Sequence, residues 1–426
     1  MQDCHHQLVK IGRNPIYLLT AIYFIWLLAV LLLFGYTPTN DGDGYIDYAL
    51  CCLKDRSPYP TLTIFRTAPF VWNSGIINTI EASLFLFGST YPVLLLMCGL
   101  KALTALFTAM TAKELLGEKI AIVTLSLFII YPNNWGQSTM LSSEIPSTCM
   151  AVAAIYLSVS GNSLFLSGIL LALANWFRPT AIIFISTILI YLFLFRRKQF
   201  LRQASFLLSG YVVIIVLIGT SCYLRTGHFV YQARSYWFSM VDECYDEATV
   251  APHWNQPIWP KGTPRYIENH EKMDCFDFER IWKQRSIDWL KEHKAAYIKK
   301  IPGRLYYMYQ SDNDNMSFAL ENKEDATQNY ITVPYRHLWS EIRSLSFAQW
   351  LLIVNYLFYA IILFSALLSI VLAYRKHSFR QLFIPLFVVI AGSLVLVAVM
   401  HGETRFKDPF MPYLFMLGAT GLSIKK

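Results

Sequence analysis

Apolar positions gather into long blocks along this chain, separated by polar stretches of very unequal length. The first block, 15–36, reads PIYLLTAIYFIWLLAVLLLFGY, and about 20 such residues are what a helix needs to cross a bilayer. It is longer than the apolar region of a signal peptide and is not followed by a small-x-small cleavage site, so it reads as a retained anchor. Further apolar blocks fall at about 90–112, 119–132, 140–160, 163–178, 180–195, 204–224, 349–374, 381–400 and 409–424. The pattern predicts an all-α polytopic membrane protein with about 10 transmembrane helices. The 119–132 block is short and also suits a re-entrant hairpin with its neighbour.

Two polar stretches stand out. The first, 37–88, contains Ile76, Ile77, Ile80, Leu84 and Phe85 at helical spacing with Asn78, Glu81 and Ser83 opposite, as in a helix lying in the membrane interface. The second, about 225–348, is long enough for a loop or lid domain. It carries a predicted helix over 278–301, with Asp277 as its N-cap and Pro302 just past its end. The chain divides accordingly into an N-terminal tail and first span (1–36), a first outer loop (37–88), a transmembrane core (89–224), the loop or lid domain (225–348) and C-terminal spans (349–426).

Composition changes the picture only by hardening it. Hydrophobic residues make up 55% and charged residues 15%, where about 25% is usual for soluble chains. The net charge of +8 does not point to nucleic acid, because the basic residues cluster beside apolar blocks. Lys10 and Arg13, Lys113 and Lys119, Arg196-Arg197-Lys198 with Arg202, Arg375-Lys376 with Arg380, and Lys425-Lys426 all fall on one side when the blocks alternate. The positive-inside rule makes that side cytoplasmic, with both termini on it and the two polar stretches outside. The eight cysteines include no C-x-x-C pair, which excludes zinc ribbons and thioredoxin-like motifs. Cys4-His5-His6 has too few ligands for a metal. Cys244 and Cys275 share the oxidising side, where a disulfide and two free thiols are equally open.

Chemistry gathers at the outer ends of the blocks. Thr39 to Ala49 reads TNDGDGYIDYA, with Asp41, Asp43 and Asp47 within seven residues. An Asp-Gly-Asp is ordinarily a solvated turn; at a membrane edge it also suits a catalytic carboxylate. A nucleotide-sugar metal site of the D-x-D kind is excluded by sidedness. Arg178-Pro179 closes one block, Glu144 opens another, and His401-Gly-Glu403-Thr-Arg405 fills the last outer turn. Each has an ordinary reading alone: Arg178 as a snorkelling anchor, Glu144 as a helix N-terminal carboxylate, Arg405 as an interface cation. Together they put carboxylates and guanidiniums from four loops at one depth. Guanidinium matches phosphate oxygens in pairs, and a carboxylate can take a hydroxyl proton. Lys101, in mid-block, calls for a polar cavity or a partner. Asp312-Asn313-Asp314-Asn315 is not an EF-hand loop, because Met316 and Lys323 stand where oxygen ligands are needed.

In this order and sidedness the chain resembles the GT-C superfamily of membrane glycosyltransferases, in the branch of protein O-mannosyltransferases and aminoarabinose transferases. Four segments carry the likeness: Asp41-Gly42-Asp43-Gly44-Tyr45, Tyr131-Pro132 with Ser143-Glu144, Trp176-Phe177-Arg178-Pro179-Thr180, and Glu403 through Pro412. The resemblance implies transfer of a sugar from a polyprenyl-phosphate donor to a lipid, glycan or protein acceptor, in a bacterial inner membrane. It implies a general base in the first outer loop, with Asp43 first and Asp41 second. Arg178 and Arg405 are the candidate phosphate ligands, and Glu144, Tyr45, His401 and Glu403 are further site candidates. One departure is that Gly42 separates the two aspartates where a family member has adjacent acidic residues. The sequence requires no cofactor and leaves room for a divalent cation. The rival classes are a transporter or flippase and a diphosphate-linked glycan polymerase or ligase.

Overall fold

The structure is a computed structural model that describes residues 14–67, 71–245, 264–322, 338–375 and 379–423. Cys4-His5-His6, Lys10, Arg13, Lys323, Lys376 and Lys425-Lys426 lie outside these residues. Every described element is helical, and each of the ten apolar blocks is a helix. In chain order they begin with α1 (Pro15–Phe34), whose N-cap Asn14 accepts a hydrogen bond from the Ile16 N–H. The first outer segment folds into α2 (Asn40–Asp55), α3 (Leu62–Thr67) and α4 (Ser74–Phe87). Then come α5 (Tyr91–Leu116), α6 (Glu118–Ile130), α7 (Pro132–Gln137), α8 (Glu144–Ser160), α9 (Leu164–Phe177), α10 (Ala181–Phe195) and α11 (Phe200–Thr226). The second polar segment supplies α12 (Tyr236–Tyr245), α13 (Cys275–Tyr309) and α14 (Asp314–Glu321). Last are α15 (Phe347–Arg375), α16 (Phe379–Val399) and α17 (Met411–Leu422).

Five of these helices are long and apolar enough to cross a membrane: α1, α5, α11 with the short turn before it, α15 and α16. The other five apolar helices are shorter, α6, α8, α9, α10 and α17. The outward faces are what a lipid solvent allows and water does not. Leu32 is 78% exposed, Leu224 79% and Phe364 70%. The chain is therefore a multi-pass membrane protein whose described elements are all helical.

Close approach between the helices comes from small residues, which is how helices associate where lipid removes the hydrophobic drive. A Cβ on Gly168 of α9 would stand 2.0 Å from the Leu207 carbonyl oxygen of α11, and one on Gly210 of α11 would stand 2.1 Å from that of Phe165. The two glycines thus seat the two helices on each other's backbones. At the centre lies α17, nearly every residue of it buried, packed on α6, α15 and α16.

The polar contacts gather at two ends of the bundle. At one, Arg196 donates to the Val159 carbonyl at 2.8 Å and Lys113 pairs with Glu118 at 3.6 Å. The described basic clusters of the sequence sit at this end. At the other, Thr37 donates its N–H to the Thr139 carbonyl at 2.9 Å, and Asn322 donates to the Tyr36 carbonyl at the same distance. The polar segments gather there.

Several local expectations are corrected. The Asp41–Asp47 stretch is no turn but the start of α2: the Thr39 hydroxyl accepts from the Gly42 N–H at 3.0 Å, and Asp41 and Asp43 occupy the first turn. Its glycines serve packing, since a Cβ on Gly44 would stand 2.9 Å from the Trp72 ring. The polar side of α4 does not face water as a whole: Asn78 accepts from the Tyr59 N–H at 2.8 Å and Ser83 is buried. The α13 helix starts earlier than predicted, with Asp274 as N-cap and Asp277 completing a capping box. It also runs through Pro302 to Tyr309, with a break in helical geometry at His293. Cys244 and Cys275 are both free and buried. The described part of the second polar segment packs on the bundle, and Phe278, Trp282 and Met308 belong to its main hydrophobic core.

Candidate active site at the polar end of the bundle

Local sequence rules set each side chain in place. Arg178 precedes Pro179, which disfavours helix at that residue. The α9 helix therefore stops at Phe177, and Arg178 turns out in extended geometry, φ −153° and ψ 132°. Glu144 opens α8, and its carboxylate accepts from the hydroxyls of Ser142 and Ser143 at 2.9 and 3.1 Å. The segment Thr404–Phe410 forms a tight 3-10 turn, and Pro412 starts α17 where its missing N–H costs nothing.

These elements bring seven of the eight candidate residues together. Arg178 is ion-paired with Glu144, both largely buried, and its guanidinium lies 5.6 Å from the centre of the Phe406 ring. Arg405 pairs with Asp41 at 2.6 Å and with Glu403 at 2.7 Å. The Tyr45 hydroxyl accepts from Asn73, which also donates to Ser143 beside Glu144. Burial first, and then the carboxylates of Asp41 and Glu144, hold the Tyr45 phenol well above its ordinary pKa, so it keeps its proton. His401 bridges Glu403 and Glu243 at 3.4 Å to each, and Glu243 pairs with the fully buried Arg304 at 2.6 Å. A row of alternating charge thus runs Arg304, Glu243, His401, Glu403, Arg405, Asp41. Burial alone would lower the His401 pKa, but its two carboxylate neighbours outweigh that and raise it to about 9. Glu403 feels burial too, yet Arg405 and His401 leave it below the ordinary carboxylate range.

Asp43 is the exception. Positions two apart on a helix do not share a face, and Asp43 is exposed, accepting from the Tyr36 hydroxyl at 3.1 Å. The structure brings Asp41 to the guanidiniums and leaves Asp43 on another side of α2.

A second set of charges had no assigned role in the sequence. Lys407, fully buried, pairs with Asp312 at 2.9 Å and donates to the carbonyls of Ser311 and Thr404 at 2.7 and 2.8 Å. Tyr131 donates to the Asp312 carboxylate and Thr404 to that of Asp314. Burial, and Asp312 after it, raise the Asp314 pKa to about 6 against the opposing pull of Lys407. Lys101 finds its partner here: it donates to Gln137, which donates to Asp408 at 2.5 Å across a small cavity lined by Thr104, Phe128 and Thr148. Burial and then Asp312 hold Asp408 well above the usual carboxylate range. The signal that could have located this set is the charge run 403–408 itself, since four charges at a membrane edge need partners. Among the described residues, no three His, Cys, Asp or Glu side chains are arranged to hold a metal ion.

No family model, no curated protein and no solved structure matches this chain.

Proposed function

We propose that this chain is an inverting glycosyltransferase that moves a sugar from a polyprenyl-phosphate donor to an acceptor hydroxyl at the extracytoplasmic face of a membrane, as the GT-C resemblance implies. In this reading all ten apolar helices cross or enter the bilayer, the basic end and both termini are cytoplasmic, and the polar end faces out. The observation that carries it is the convergence of Asp41, Glu144, Arg178, Glu403 and Arg405, from four separate segments, at one end of an apolar bundle. A leaving phosphate needs charge stabilisation, and the acceptor needs a base; that set offers both.

Of the two first-loop aspartates, Asp41 has the better position, because it already touches Arg405. An arriving phosphate draws Arg405 to itself and frees Asp41. The acceptor oxygen then bonds to the anomeric carbon as the bond from that carbon to the phosphate oxygen breaks. The hydroxyl proton passes to Asp41, and the electron pair leaves with the polyprenyl phosphate, held by Arg405. Arg178 is the more enclosed of the two guanidiniums, at 14% exposure against 30%. It contacts phosphate from behind Arg405 and fixes Phe406. The reading routes no step through a cation. Kinetics of Arg178→Lys and Arg405→Lys test it, because Lys keeps the charge and loses the two-pronged geometry. Donor KM should rise in both variants, with a double variant less than additive; native kinetics in both would remove these residues from the donor site.

A transporter is the second reading, favoured by Lys101, Gln137 and Asp408 in a cavity inside the bundle. Lys101→Met would abolish transport in that case and would leave the transferase with most of its kcat.

A further inference from the structure

The second half of α13 carries an apolar stripe that nothing in the described fold covers. Ala295, Ile298, Pro302 and Tyr306 follow one another at steps of three and four residues, and all are exposed, Ile298 to 63% and Tyr306 to 64%. Its opposite side is anchored. Tyr297 donates to the Ala398 carbonyl and Arg304 to the Val397 carbonyl, both at 3.0 Å, in the last turn of the membrane-crossing α16. Further on, the Tyr309 hydroxyl lies 2.6 Å from the hydroxyl of Ser393, four to five residues or roughly 7 Å down the same helix. The stripe therefore runs level with the membrane edge from Ile298 to Pro302 and enters the span only near Tyr306. Lys294 and Lys299 flank its upper end; both are exposed and neither makes an ion pair among the described residues. Glu292 is the only acidic residue from 291 to 299, and Lys291 is already paired with Asp288 at 3.1 Å.

We propose that this half of α13 is a binding surface for anionic phospholipid, its stripe against the acyl chains and Lys294 and Lys299 on the headgroup phosphate. An apolar stripe topped by unpaired lysines is the pattern that holds a helix in a charged interface. Because Tyr297 and Arg304 both meet the last turn of α16, Lys299 stands at the membrane edge beside Ile298 and Pro302, with Tyr306 deeper. The surface does not depend on the enzymatic reading, and failure of one leaves the other standing.

The test places a photo-crosslinking residue at 298 or 306 of the full chain in nanodiscs of equal parts phosphatidylcholine and phosphatidylglycerol. Adducts with lipid are expected, enriched in phosphatidylglycerol, and the enrichment should fall about tenfold or more at low salt in Lys294→Gln/Lys299→Gln. High salt should weaken it in the parent protein. Adducts with a second copy, another protein or another part of this chain would overturn the surface as a lipid site. Lipid adducts with no preference for phosphatidylglycerol, or a preference the lysine variant keeps, would overturn the role of the lysines. A variant with Ile298→Ser and Tyr306→Ser supplies a second readout through its lower yield of co-purified lipid.

Discussion

The buried imidazole of His401 gives the sharpest handle on the charge row at the polar end. It is 8% exposed and stands between Glu243 and Glu403, which raise its pKa from the ordinary 6.5 to about 9. The folded value lies above the unfolded one, so the stabilisation is full below pH 6.5 and is lost as pH rises through about 9. The difference of about 2.5 units corresponds to about 3 kcal/mol as an order of magnitude. In a thermal melt that is a fall of roughly 5 °C. Asp314, whose pKa burial raises to about 6, costs stability as pH rises through that value, so most of its own change is complete below this window. The assay is the melting midpoint of the protein in nanodiscs from pH 6 to pH 9.5, alongside His401→Gln. The parent protein should lose stability steadily above pH 6.5, and His401→Gln should start lower and stay nearly flat. Equal slopes in the two proteins would refute the assignment of a charged His401 between two carboxylates.

Other outcomes follow from single contacts. Lys407→Met should destabilise by about 3–5 kcal/mol, read as a lowered melting midpoint, because it leaves the Asp312 carboxylate buried and unpaired; pairing it with Asp312→Leu should recover part of the loss. Gly168→Ala should cost about 1–3 kcal/mol, since its Cβ meets the Leu207 carbonyl and the two helices must separate; an unchanged midpoint would mean that the interface is looser than described. Cysteines introduced at 43 and 405 should react with an impermeant maleimide from outside intact cells, and one at 198 should not, with the reverse pattern inverting the orientation.

Helix placement was legible because apolar block length is a strong signal: each of the ten blocks is a helix within a few residues. The meeting of the polar groups was legible too, since Glu144, Arg178 and Arg405 stand at block ends that alternation places together. Facing was not. The choice between Asp41 and Asp43 turns on which side of α2 meets Arg405, and two glycines and three carboxylates in a short run read as a turn until the Thr39 cap is seen. The pairs Lys407–Asp312 and Arg304–Glu243 join residues tens of positions apart, and no local pattern encodes such a meeting. The Asp312–Asn315 run has in sequence only the look of a failed calcium loop, whereas its carboxylates answer a lysine and a threonine of the last outer turn. Pro302 reads in sequence as a stop, yet a helix packed along α16 tolerates the lost bond.

The central claim is sugar transfer from a lipid phosphate with Asp41 as the base. It is tested most directly by presenting the purified protein, in nanodiscs, with a panel of polyprenyl-phosphate sugars and following sugar release alongside Asp41→Asn and Asp43→Asn. The account predicts release from at least one donor, a loss of about 10²- to 10⁴-fold in Asp41→Asn, and a small effect in Asp43→Asn. Release that survives in the double variant, or no release from any donor by a well-folded protein, would contradict it.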